Sequence, residues 1–241
     1  MTILTNIGNP DPALREAAYT NYNQALADIA LSQRELKEIL QTCISDQYLF
    51  YGIGERESDT VFTRTFSALF IAGVIDMHNE NPFLTDDGLQ ATMEAAKEYI
   101  SQEMDFRGYV VGKGWAHAAA HIADVFAMLS KTQQPWEVLN ALKSLVLNPH
   151  AIYTAEEEDR ITSAVLSVLH WHQISDEQLL EWVESFDPTG KMWWGGNLPT
   201  DFNVHVNRKL FMRSFYFRLD EDSSKLNSRE KVKGFIAGKY K

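Results

Sequence analysis

The residue types best suited to chemistry in this 241-residue chain gather in one stretch, Arg107-Gly-Tyr-Val-Val-Gly-Lys-Gly-Trp-Ala-His-Ala-Ala-Ala-His-Ile-Ala-Asp124. His117, His121 and Asp124 are spaced i, i+4 and i+7, so on a helix they fall within roughly 60° of one another, one narrow polar stripe. Two imidazoles one turn apart with a carboxylate a turn further on are a possible metal-ligand set. The metalloprotease pattern H-E-x-x-H nevertheless needs a glutamate after the first histidine, and Ala118 stands there. The same segment also suits an anion. Gly112, Lys113 and Gly114 lie where a helix is expected to begin near Lys113, and free backbone N–H groups at a helix start bind phosphates and carboxylates. Lys113 and Arg107 add positive charge, although the phosphate-loop pattern G-x-x-x-x-G-K-[ST] is absent. A third reading gives the histidines and Asp124 only hydrogen bonds to neighbouring helices, with Arg107 and Lys113 pinning a loop.

The elements that must position this segment read as helices throughout. Ser32-Gln-Arg-Glu35, Thr154-Ala-Glu-Glu157 and Ser175-Asp-Glu-Gln178 are capping-box starts, and Asp59 to Met77 follows a 3.6-residue apolar period. First helices begin near Pro12, Ser58, Lys113, Thr154 and Thr200, and second helices near Ser32, Thr85, Pro135, Ser175 and Ser228. Repeats of roughly 40–47 residues with two helices each mark HEAT-like or armadillo-like solenoids. The expected fold is therefore all-α, an α-α superhelix of about five helical hairpins without a sheet, forming one domain over residues 1–241; a non-repetitive helical bundle is the alternative. Trp115, Phe126, Phe62, Phe66, Leu69, Trp182 and Phe215 are expected in the core. The loop holding Met192, Trp193 and Trp194 can act as a lid or tuck inward, and His78, His150 and His205 read as structural.

Composition narrows the function classes. A net charge of −11 argues against broad nucleic-acid binding, which draws affinity from Lys and Arg on phosphates. The charge is uneven: from His205 onward ten Lys/Arg stand against four Asp/Glu, so the C-terminal helices either pack on an acidic body or meet an acidic partner. No signal peptide or membrane-length apolar run is legible, and the lone Cys43 suits a reducing compartment, so a cytoplasmic setting is expected.

At Arg107-Gly-Tyr-Val, Gly112-Lys-Gly-Trp-Ala-His117, and Ala120-His121 with Ala123-Asp124, the chain resembles a family of bacterial all-helical proteins of unknown function. The resemblance extends to Val61-Phe-Thr-Arg-Thr-Phe-Ser67 and Asn207-Arg-Lys-Leu-Phe-Met-Arg-Ser-Phe-Tyr-Phe217. It implies no activity or cofactor, only that these segments belong together; a shared site would gather Arg64, Arg107, Lys113, His117, His121, Asp124 and Arg213. Three functions follow as expectations. The first is an α-solenoid that binds an anionic small molecule or peptide, and the second an enzyme using His117, His121 and Asp124, with or without a metal. The third is a scaffold recognising an acidic protein.

Overall fold

The computed structural model describes residues 2–186, 197–219 and 225–237. Ten helices are described: α1 (Pro12–Ala27), α2 (Gln33–Cys43), α3 (Thr60–Glu80), α4 (Asp86–Gln102), α5 (Ala118–Leu129), α6 (Pro135–Val146), α7 (Glu157–Trp171), α8 (Asp176–Glu184), α9 (Thr200–Arg218) and α10 (Leu226–Ile236). Local chemistry explains most of the starts. Ser32 and Ser175 form capping boxes with Glu35 and Gln178, Thr85 caps α4 through the Gly88 amide, and Pro12 and Pro135 open α1 and α6. The Thr154 box does not form. Glu156 takes the N-cap position of α7 in a left-handed conformation, φ 63°, and Glu157 turns its carboxylate back onto the Ala155 amide at 2.8 Å.

The first helices of the five pairs stack in chain order, α1 on α3, α3 on α5, α5 on α7 and α7 on α9. Of the second helices, α2, α4 and α6 pack against the first helix of the next pair, while α8 packs on α10, the second helix of the last pair, which α9 also contacts. One apolar cluster runs through the stack from Leu4 to Val232. Helix α3 has the most apolar material and is alone among the described helices in being long and apolar enough to cross a membrane. Its mean hydropathy reaches 1.3 over an 18-residue window, of which 72% is buried, as befits a helix wrapped by α1, α2 and α5. The expected core aromatics are buried with one exception: Trp115 is 42% exposed.

Part of the positive charge of the C-terminal pair is used inside the protein. Lys231 reaches Glu184 at 2.7 Å, Arg218 donates to the Asp159 carbonyl at 2.9 Å, and Asp176 accepts from the Asn227 and Ser228 amides. A carboxylate from α8 thus caps α10, where the helix dipole favours negative charge. Met192, Trp193 and Trp194 lie outside the described residues.

Candidate functional site

The loop between α4 and α5 is anchored from below by a buried ion pair. Arg64 on α3 donates to both Glu103 oxygens at 2.7 and 2.9 Å, and also to Thr60 Oγ1 and to the Tyr51 and Gly52 carbonyls. Both side chains are fully buried. Glu103 in turn accepts from the Met104 and Asp105 amides, so the pair fixes the loop's entry. Arg107 then forks onto Asp105, with contacts of 2.7 and 2.6 Å, and donates to the Ser58 carbonyl.

Beyond Arg107 the structure corrects two expectations. Gly112, Lys113 and Gly114 are not a helix start: they close a small antiparallel hairpin of β1 (Tyr109–Val110) and β2 (Gly114–Trp115), so the fold is not wholly free of strand. The Lys113 amide donates to the Val110 carbonyl at 2.9 Å, and Gly112 and Gly114 have φ of 77° and 80°, the left-handed region that glycine supplies cheaply. Lys113 Nζ is held by both Asp59 oxygens at 2.6 and 2.8 Å. Arg15, fully buried, lies with its guanidinium 4.0 Å from the Phe62 ring centre and donates to the Lys113 carbonyl, tying α1 to the hairpin. Sequence alone gave no reason to single out Arg15, Glu103 or Asp59.

Helix α5 begins only at Ala118, with His117 as a left-handed N-cap, φ 52°. Such a backbone is costly for a residue with a Cβ and persists where surroundings enforce it. Here the His117 amide donates to the Arg107 carbonyl at 3.0 Å, and Gly108 lets the chain press inward. A Cβ at Gly108 would sit 2.5 Å from Ala155 Cβ and 2.9 Å from Glu157 Oε1. His117 Nε2 is buried without a hydrogen-bond partner, 3.8 Å from Glu157 Oε1. Burial, aided by Arg160, pushes its pKa down to about 4, so the ring is neutral at neutral pH. His121 Nδ1 donates to the Thr65 carbonyl at 3.2 Å, and burial, then His117 and Arg160, push it down to about 3.

Asp124 pairs with Arg160 of α7, its Oδ1 accepting from Nε at 3.0 Å. The polar stripe of α5 therefore faces α3 and α7 rather than a ligand space, and its alanines admit those helices. His117, His121 and Asp124 do not converge as a ligand set. Among the described residues no group of three or more His, Cys, Asp or Glu side chains is placed to hold a metal ion. Nor does Arg213 join them: it is exposed on α9, which packs on α7 rather than entering the α5 contacts.

A site does open on the other side of Arg107. A cleft of about 380 Å³ is lined by residues of three inter-hairpin loops, among them Arg56, Glu57, Asp105, Phe106, Arg107 and His150, with Tyr109 also in the lining, so two carboxylates stand with two guanidiniums. Arg107 is neutralised by Asp105, whereas Arg56 Nη2 contacts only His150 Nδ1 at 3.4 Å and Met104 Sδ at 4.0 Å among the described residues. An arginine always donates, so His150 Nδ1 accepts and Nε2 carries the hydrogen. Burial, then Arg56, lowers the His150 pKa, which keeps that neutral tautomer at neutral pH. The Phe106 ring lies parallel to the imidazole, 9° between planes. His150 is thus not isolated, as its sequence position suggested, but lines the cleft beside Arg56.

Comparison with known proteins finds one family model, described as a protein of unknown function (DUF2785), matching residues 49–217. No curated protein and no solved structure matches the chain. The matched span takes in Arg56, the α4–α5 loop, His150 and the whole α5 stripe, while α1 with its Arg15 clamp lies before it. The match covers well over half of the sequence, and the chain belongs to the DUF2785 family.

Proposed function

We propose that this protein is a binding protein whose ligand presents a carboxylate or phosphate to the cleft at Arg56, Arg107 and His150. The observation that carries the reading is the state of Arg56: a cation at a cleft of ligand size with no carboxylate partner among the described residues, beside an imidazole whose Nε2–H is free to donate. The row of first helices backed by second helices supports a HEAT-like α-α superhelix, with the site on the rim where inter-hairpin loops meet. A cytoplasmic setting fits a chain whose one cysteine, Cys43, is buried and free. Cofactor use has no particular support from this geometry.

This site replaces the hairpin and the α5 stripe as the place for an anion, because an anion there would have to displace Asp59 from Lys113 or Asp124 from Arg160. An enzymatic reading would centre on His117 beside Glu157, but that pair is packed behind Gly108 and its Nε2 is closed from solvent. Recognition of an acidic protein by the C-terminal helices is weakened by their internal pairings. Thermal shift and calorimetry with acetate, succinate and inorganic phosphate test the proposal. A raised Tm that is lost in Arg56→Gln and kept in Lys113→Gln supports it. Deleting one charge-assisted contact is worth roughly 1.5–3 kcal/mol, or about 10- to 150-fold in affinity. The reverse pattern, or no response to any anion, contradicts it.

A further inference from the structure

Next to the cleft stands a set of apolar side chains that the fold does not use. Tyr109 is 58% exposed, Val111 90% and Trp115 42%, all on the hairpin. Tyr109 and Trp115 are cross-strand partners and share one face, with ring centres 4.9 Å apart at 78°. Tyr109 also lines the cleft, so the aromatic ledge and the Arg56 cleft form one continuous surface.

The ledge is rigidly built. Arg15 holds the Lys113 carbonyl, Asp59 holds the Lys113 ammonium, and the Ala116 amide donates to the Gly108 carbonyl at 2.9 Å. The Trp115 ring leans on His117 at 4.2 Å. Together these contacts hold two large aromatic rings outward on a short hairpin.

Resting on the cleft reading above, we infer that the ligand is a peptide segment of another protein, with an acidic side chain or C-terminal carboxylate for Arg56 and an adjacent apolar side chain for the Tyr109–Val111–Trp115 ledge. A small anion would occupy the cleft and leave the ledge bare. Charge selects the acidic end at Arg56, the one of the cleft's two arginines without a carboxylate partner among the described residues, with Glu57 the other charged side chain of the lining outside the Arg107–Asp105 pair. Preordered Tyr and Trp surfaces dominate peptide and protein interfaces because little entropy is lost when they are covered.

The test uses the full chain and short fluorescein-labelled peptides in a Gly-Ser background, carrying Asp-Phe, Glu-Leu, Asn-Phe or Asp-Ser, read by anisotropy. The inference expects Asp-Phe and Glu-Leu to bind best. Trp115→Ala and Val111→Ser should each weaken them about tenfold, while the acetate or phosphate shift in Tm stays as in the parent protein. Val111→Ser guards against misfolding, because the side chain is almost wholly exposed. Equal binding of Asp-Ser, or of Asp-Phe to both variants, overturns the inference while the cleft reading stands on its own anion response. Loss of every Arg56-dependent response sinks both. A concentration-dependent dimer in sedimentation that Val111→Ser abolishes also overturns it, assigning the ledge to a second copy of the chain.

Discussion

Arg56 and Arg107 line the same cleft, yet their surroundings give them different work. Arg107 neutralises Asp105, a carboxylate whose side chain is only 1% exposed, and Arg107→Ala would leave that buried charge without its ion-pair partner, with only the residue-107 amide at 3.4 Å to donate to it among the described residues. Removing one partner of such a pair costs about 3–5 kcal/mol, and urea denaturation should register a loss of that order. Arg56→Ala should stay within about 0.5 kcal/mol of the parent in the same measurement, since it deletes an exposed group without a carboxylate partner. The buried histidines make a second prediction, for acid. His117 and His121 remain neutral in the fold down to about pH 4 and about pH 3, against an ordinary value of 6.5. Between roughly pH 6.5 and 4 the unfolded chain therefore binds more protons, and stability falls as pH falls; above that window these rings add no pH dependence. His121→Phe, which keeps an aromatic against Phe66, should flatten the decline in urea midpoint across that window, and an unchanged slope would show that other groups carry it. The stripe residues were legible because their spacing is periodic. Arg56 and His150 were not, because they lie 94 positions apart on irregular loops and share no motif.

At the scale of elements, what the sequence made readable was whatever local chemistry encodes. Ser32 and Ser175 announce α2 and α8 through a hydroxyl and a side chain three residues on, and both caps form. Ser175→Ala should cost about 1 kcal/mol, measured by thermal or urea unfolding. Thr154 carries the same signature without the cap, because Glu157 is drawn to the Ala155 amide as the chain turns under the α4–α5 loop. The hairpin at 109–115 escaped for a different reason: two-residue strands have no period to read, and the two glycines of its turn, Gly112 and Gly114, also resemble a phosphate-binding helix start. Trp115 was misplaced with it, expected in a helix core and found on an outer face. Gly108→Ala is the sharpest probe of this element. Its Cβ would lie 2.5 Å from Ala155 Cβ, so the loop must move, and a loss of about 1–3 kcal/mol is expected. A neutral result would mean that the loop is not pressed against α7.

On the scale of the whole molecule, the five helix pairs supply a stack whose interior is apolar and whose rim carries the polar work. Helix α5 sits mid-stack between α3 and α7, and Phe126 at its centre is fully buried, so Phe126→Ala should cost about 3–5 kcal/mol. The helical order was legible where a start carries a local signal, a capping side chain at Ser32, Thr85 and Ser175 or a proline at Pro12 and Pro135; the side on which the site lies was not, since such signals say nothing about which charges meet across the stack. Arg64, Lys113 and Asp124 each proved to be half of an internal pair, with Glu103, Asp59 and Arg160, whereas Arg56 was left for something else. The most direct test of that assignment is a crystal structure of the full chain with a bound carboxylate, acetate or the acidic end of a peptide. The account predicts its oxygens about 3 Å from the Arg56 guanidinium and His150 Nε2. A carboxylate seated instead on Lys113, or between His117 and Asp124, would contradict it.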